Sequence, residues 1–263
     1  MPASMTAATG AQACLVGVST KMYLGYQDSL DWLTAVRAVV AARSPLPSGL
    51  TVFVAPSFPV LESARRILAG SGVLLGAQNC SAGGGALTGE VSPALLAELD
   101  VQLVEIGHAE RRRLFGETDA VVALKTAAAT AAGLTPLLCV GETERGLPAD
   151  AARFCFEQIA AALGQTVSLD DVLVAYEPVW AIGAADPAQP GYVNDVVARL
   201  RELLCSHEDT RRPRIIYGGS AGPGLLPQLD TVDGLFLGRF AHDPAGLGQV
   251  LDEAIQRADR SLY

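Results

Sequence analysis

Lys21 stands just past a short apolar run, CLVGV (14–18), in the stretch GVSTKMYLG, with Ser19 two places before it. His108 follows another such run in GHAERR. Glu177 ends a third and leads into Pro178 and VWAIGAA. Glycine-rich turns follow two more, GGS at 218–220 and GR at 238–239. A cation, an imidazole, a carboxylate and glycine turns, each at the end of an apolar run, suit proton transfer next to a carbonyl. A C–H beside a ketone is a very weak acid. A carboxylate removes its proton only where the developing enolate oxygen is stabilised. Glu177 is the candidate base, and apolar Val179, Trp180 and Ile182 beside it would keep water away. His108 and Lys21 would polarise the oxygens. The turns at Gly218, Gly219 and Gly238 would offer backbone N–H groups to a phosphate.

Taken singly, each of these residues has a plain structural alternative. A lysine after a strand is usually solvated, a histidine there is usually a hydrogen-bonded structural residue, and a glutamate before proline can be a turn residue. The plain alternatives weaken together if one rim of one fold collects them all, so the elements that position them decide between the two.

Those elements alternate. Strand candidates are CLVGV (14–18), LTVFVA (50–55), VLLGAQ (73–78), VQLVEI (101–106), LTPLLCV (134–140), DVLVAYE (171–177), RIIYG (214–218) and DGLFLG (233–238). Between them lie segments such as 29–44, 119–133 and 194–207, with apolar residues at i, i+3 and i+4. Gly133 stands where a helix would stop. Strands that are apolar at nearly every position, each followed by a helix, predict a parallel sheet covered by helices. Eight such units in 263 residues predict an α/β fold of the closed (β/α)8 type, a single domain over 1–263. In such barrels the strand C-terminal ends form the site. An open doubly wound sheet is the alternative, but GVSTKM is not the GxGxxG expected after its first strand. SAGGGALTG (81–89) is long for a connection between units, which points to a special role.

Composition narrows the function classes. Half of the residues are hydrophobic, 18% are charged and the net charge is −9, with no basic stripe interleaved with aromatics. A nucleic-acid partner is not expected. The five cysteines are scattered without a CxxC, which predicts free thiols. Three histidines without HExxH make a structural metal unexpected. Residues 1–12 read as a poorly ordered N-terminal extension without a secretory pattern. No apolar run is long enough to span a bilayer. A soluble, cytoplasmic protein is the expectation.

The chain resembles the triosephosphate isomerase family along essentially its whole length. The matching pieces are AQN (77–79), GALTGE (85–90), EIGHAERRRLFGET (105–118), LCVGE (138–142), AYEPVWAIG (175–183) and YGGS (217–220). The resemblance implies a TIM barrel that isomerises a small phosphorylated sugar through an enediolate, without cofactor or metal. It implies Glu177 as the base that shuttles the proton, His108 as the neutral electrophile and Lys21 as the positive charge for phosphate and enediolate. Glu110 corresponds to a carboxylate near the lysine. Residues 178–186 (Pro178, Val179, Trp180, Ala181, Ile182, Gly183, Ala184, Ala185 and Asp186) would form a mobile lid, with Gly183 donating to phosphate. Ser220, Gly219, Gly238 and Arg239 would complete the phosphate cup. Loop 79–90 corresponds to a dimer loop, from Asn79 to a Thr88 that reaches the neighbour's site, so a homodimer is implied. Cys139 matches a family cysteine, although a small core residue is its simpler explanation.

Three positions depart from the family pattern. Ser19 replaces the asparagine of Asn-Trp-Lys, Arg239 replaces the second glycine of Gly-Gly, and Ala109 replaces the serine of GHSERR. Serine loses an amide donor and opens room beside the substrate. The departures resemble a branch of the family that acts in tetritol catabolism, converting L-erythrulose 1-phosphate to D-erythrulose 4-phosphate. Triosephosphate isomerisation, and a non-catalytic phosphate-binding barrel, remain as alternatives at this point.

Overall fold

The computed structural model describes residues 14–184, 187–207 and 212–260. The expected extension over 1–12 therefore lies outside the described residues, as do Ala185 and Asp186 of the expected lid. Eight parallel strands close in sequence order into a barrel. They are β1 (Cys14–Ser19), β2 (Leu50–Ala55), β3 (Leu74–Ala77), β4 (Leu103–Ile106), β5 (Thr135–Val140), β6 (Leu173–Tyr176), β7 (Ile215–Tyr217) and β8 (Gly234–Leu237). Each lies on one of the eight apolar runs, so the closed barrel stands and the open sheet does not. The helices are α1 (Tyr26–Ala41), α2 (Leu61–Leu68), α3 (Pro93–Glu98), α4 (Ala109–Phe115), α5 (Asp119–Ala131), α6 (Pro148–Leu163), α7 (Pro190–His207) and α8 (Pro244–Arg260).

The helices are not shared out one per strand, as the alternating pattern predicted. Two follow β4. Between β7 and β8 there is instead a short 3-10 turn, Leu226–Gln228. The reason is local: Gly222-Pro223-Gly224 and Pro227 interrupt that segment, and both residue types break helices. Leu225, Leu226 and Leu229 still cover the sheet there. Helix starts also lie earlier than the periodic pattern, at Tyr26 rather than 29 and at Pro190 rather than 194. The first turn of α1 is exposed at Tyr26, Gln27 and Asp28, and α7 opens on Pro190 and Gly191, so neither start carries a clear apolar period.

Strand alternation divides the core into two shells. Val16, Val54, Val104, Leu138 and Val174 face outward beneath the helices. Leu15, Phe53, Leu103, Leu137, Leu173, Ile216 and Phe236 fill the interior. Phe53 and Phe236 stack with ring centroids 5.8 Å apart. Gly17 allows this, because a Cβ there would sit 2.0 Å from the Phe53 ring. The same parity carries the inward direction upward from Leu15 to Ser19, from Leu103 to Glu105, from Leu137 to Cys139 and from Leu173 to Glu177. The barrel thus aims four reactive side chain types at one end. No helix among the described residues is long and apolar enough to cross a membrane.

All five cysteines are free thiols, and four are buried; Cys205 is exposed. Burial pushes the Cys14 thiol up to about 11 and the Cys80 thiol up to about 12. Only thiolate reacts quickly with disulfide reagents. A native-state titration at pH 8 is therefore expected to modify one of the five thiols rapidly, and all five after unfolding. Rapid reaction of two or more in the native protein would contradict this packing.

Candidate functional site

At the end of β1 the backbone turns at Lys21, whose φ of +48° lies in the left-handed region. Two side chains pin this turn. Ser57 Oγ and Gln78 Nε2 each donate to the Lys21 carbonyl at 2.8 Å. The lysine Nζ then reaches Glu110 Oε1 at 2.6 Å. Burial works against the ammonium, but the Glu110 hydrogen bond and charge, with Glu177 and Glu105 behind, hold its pKa above the usual lysine value. The same pair holds Glu110 below the usual carboxylate range, against the opposing effect of burial.

His108 caps the N-terminus of α4. Its Nδ1 accepts the Glu110 N–H at 3.1 Å. A ring that accepts at Nδ1 is neutral and carries its proton on Nε2. That nitrogen faces Glu177, with Nε2 and Oε2 3.6 Å apart. Glu177 is 5% exposed, and its Oε2 has no hydrogen-bond partner. A Cβ on Gly218 would lie 2.5 Å from Glu177 Oε1, so only glycine leaves space for the carboxylate here. Cys139 lies below. Burial, then the Glu177 and Glu105 charges, push its thiol far above the ordinary range and keep it neutral.

The described part of the expected lid, Pro178–Ala184, begins with a 3-10 turn over Val179–Ala181. Glu142 anchors its start. The carboxylate accepts from Trp180 Nε1 at 2.8 Å, from Tyr192 Oη at 3.0 Å and from Tyr176 Oη at 3.1 Å. On the far side the Ala188 N–H donates to Tyr217 Oη at 3.0 Å. Ser220 Oγ is engaged with the lid carbonyls of Ala181 and Ala184, at 2.8 and 3.1 Å. Its hydroxyl therefore serves the lid in this conformation.

One cleft of about 810 Å³ opens at this rim. Around it stand Ser19, Lys21, His108, Glu110, Glu177, Val179, Ile182, Gly183, Ala184, Gly218, Ser220, Gly238 and Arg239. Arg239 faces inward: its guanidinium lies 5.9 Å from the Tyr23 ring centroid and close to Gly183 on the lid. Gly219 is buried behind the rim and does not line the cleft. Asn79 is also away from it. Its Oδ1 accepts from Lys125 Nζ at 2.8 Å, and Lys125 in turn pairs with Glu117 at 2.6 Å, so it fastens the base of its loop within the same chain. Thr88 is exposed on that loop.

Two important acids were not singled out from the sequence. Glu142 sits in LCVGE, where nothing local marks it as the acceptor for three distant rings. Glu105 sits in VQLVEI, and here a signal existed: an ionisable residue at an inward position of an apolar strand is abnormal.

The geometry defines a (β/α)8-barrel protein with an acid–base cleft at the C-terminal rim of its strands. The family model described as triosephosphate isomerase matches residues 14–254, and the chain belongs to that family. It is 52% identical over 246 residues to the L-erythrulose-1-phosphate isomerase of Pectobacterium atrosepticum, covering 91% of this chain and 95% of the relative. It is 39% identical to the protein of that name from Rhizobium rhizogenes, covering 90% and 92%. The one from Mycolicibacterium smegmatis is 40% identical, with 94% and 95% covered.

Replacing Glu142 with alanine removes the acceptor of the fully buried Tyr176 hydroxyl. Leaving such a group unsatisfied costs about 1–3 kcal/mol. Glu142→Ala is expected to lower the urea midpoint accordingly and to alter the Trp180 fluorescence. An unchanged midpoint would remove Glu142 from its anchoring role.

Proposed function

We propose that this chain is a cofactor-independent isomerase of a small ketose phosphate, acting on L-erythrulose 1-phosphate to give D-erythrulose 4-phosphate. One observation carries the reaction type: the unpartnered oxygen of Glu177 stands 3.6 Å from His108 Nε2, with Lys21 on the same cleft. The choice of a four-carbon substrate is supported by the relatives' names. It is supported also by Ser19, which is shorter than the asparagine of the family pattern. A cleft of about 810 Å³ accommodates either a triose or a tetrulose phosphate, so volume alone does not choose.

In the proposed reaction Glu177 takes the proton from C3, next to the C2 carbonyl. The electron pair of the broken C–H bond forms the C2–C3 double bond of an enediolate, and charge moves onto the C2 oxygen. The Nε2–H of neutral His108 meets that charge and mediates transfer of the hydroxyl proton from the C3 oxygen to the C2 oxygen. Glu177 returns its proton to C2, and the carbonyl is left on C3. Lys21 adds positive charge, and preorganised donors of this kind each contribute about 10²–10³ in rate. Lys21, Gly183, Ser220, Gly238 and Arg239 hold the phosphate, with Gly219 shaping the turn behind them. The lid covers the enediolate, excludes water and opposes loss of phosphate.

The same reading extends to a homodimer. Met22, Leu87, Leu114 and Phe115 expose apolar side chains that a second copy would cover, with Thr88 directed to its site. A cytoplasmic location and a part in tetritol catabolism complete it, in keeping with five free thiols.

Glu177→Ala is expected to fold normally and to bind substrate, with kcat lowered by about 10²–10⁴. Unchanged turnover would sink the mechanism and favour a phosphate-binding barrel. For the substrate, kcat/KM on L-erythrulose 1-phosphate is expected to exceed that on dihydroxyacetone phosphate by about tenfold or more. A preference for the triose would restore triosephosphate isomerisation as the function.

A further inference from the structure

Beneath the cleft lie two oxygens that the mechanism so far leaves idle. Glu105, on β4, points into the barrel and is 4% exposed, and its Oε1 has no hydrogen-bond partner. Ser19, at the end of β1, is also 4% exposed, and its Oγ likewise has none. The two are neighbours. The contact falls short of a well-formed hydrogen bond, yet the hydroxyl is close enough to bias the ionisation of the carboxyl. Ser19 lines the cleft, whereas Glu105 lies behind it.

The surroundings of Glu105 disfavour a carboxylate. Burial acts most strongly, and the Glu177 and Glu110 charges add to it. The Ser19 hydroxyl and Lys21 oppose it, and the outcome is a carboxyl pushed up to about 8. The other titratable groups facing this interior are Cys139, kept neutral, and His108, which accepts at Nδ1. Lys21, the cation of this group, is hydrogen-bonded to Glu110. A buried acid without a partnered cation holds its proton.

A neutral acid has an O–H to donate, and Ser19 Oγ has lone pairs to receive it. We propose that Glu105 is a positioning residue: as the neutral acid it donates to Ser19 Oγ and so turns the Ser19 O–H into the cleft, as a donor to an oxygen of the ketose phosphate. The inference rests on the isomerase reading of the site. A carbonyl exchanged between adjacent carbons places charge on two oxygens in turn, and His108 Nε2–H serves one at a time. A second donor at the floor serves the other. The family pattern supplies an asparagine amide at position 19. Here a hydroxyl oriented by an acid takes its place and leaves more room. Ionised Glu105 would instead draw the Ser19 proton inward, so the donor is present below about pH 8 and lost above it.

The test compares pH profiles of kcat and KM for the wild type, Glu105→Gln, Glu105→Leu, Ser19→Ala and the Ser19→Ala/Glu105→Leu double variant. Wild-type kcat is expected to fall as pH rises through about 8. Glu105→Leu and Ser19→Ala should each lose about tenfold or more in kcat, and the double variant no more than either. Glu105→Gln, whose amide donates at every pH, should recover most of the loss and lack the alkaline fall. Full kcat in Glu105→Leu, additive losses, or an alkaline fall that persists in Glu105→Gln would overturn the proposal. A second readout needs no substrate and no leucine variant. The infrared carbonyl stretch of a neutral carboxylic acid should be present at pH 7, fade through about pH 8 and vanish in Glu105→Gln. Absence of that band at pH 7 overturns the role of Glu105 alone. A wild type that shows the band but turns over neither L-erythrulose 1-phosphate nor dihydroxyacetone phosphate overturns the isomerase reading, and with it the donor role of Ser19.

Discussion

Glu177 keeps one carboxylate oxygen buried and without a partner, and the architecture around it makes that arrangement tolerable. An unsatisfied polar oxygen out of water opposes folding by about 1–3 kcal/mol. Nearby donors could relieve it, but each is held elsewhere. The Lys21 ammonium is bound to Glu110. The His108 ring is fixed by the Glu110 N–H, which leaves Nε2 near Glu177 but beyond hydrogen-bond distance. Gly218 offers no side chain at all. The Glu177 N–H remains in the strand ladder, donating to the Val140 carbonyl at 2.8 Å, so the side chain cannot drift outward with its backbone. A barrel with a packed interior supplies the rigidity that this requires.

Glu142 extends the same constraint to the lid. By accepting from Tyr176, Trp180 and Tyr192 it ties the segment just after Glu177 to β6 and α7. Ser220 and Tyr217 fasten the other side, through Ala181, Ala184 and Ala188. This segment is thus joined to the rim by side chains from the turn after β5, from β7 and from the turn after β7. The segment is held by named hydrogen bonds and is not a loose loop.

Much of this was legible in the sequence because strand ends are easy to find. Once eight apolar runs are in register, Lys21, His108 and Glu177 must share a rim, and they do. What stayed hidden depends on side-chain direction and on long-range partners. Arg239 could be placed at the rim but not pointed; its direction follows from Tyr23, more than two hundred residues away in sequence. Ser220 lines the cleft as expected, but its hydroxyl also reaches the carbonyls of Ala181 and Ala184, contacts from a separate segment that the local sequence does not announce. The lack of a helix between β7 and β8 was readable from Gly222, Pro223, Gly224 and Pro227, which outweigh the alternation seen elsewhere. Glu105 was readable by parity, since an inward strand position cannot be solvated.

The Lys21–Glu110 pair also governs what lies beneath it. Were Lys21 to turn inward, Glu105 would gain a cation, lose its proton and draw the Ser19 hydroxyl away from the cleft. With Lys21 held outward at 2.6 Å from Glu110, Glu105 remains among the charges of Glu177 and Glu110. Ionising it there would add a third negative charge to a poorly solvated space, which is less favourable than keeping the proton. The departure at position 19 is therefore not an isolated shortening. A serine alone would widen the cleft and leave its hydroxyl free to rotate. A serine above a neutral acid widens the cleft and keeps a directed donor; burial first, and then the Glu177 and Glu110 charges, keep that acid neutral, while Lys21, engaged with Glu110, opposes them only in part.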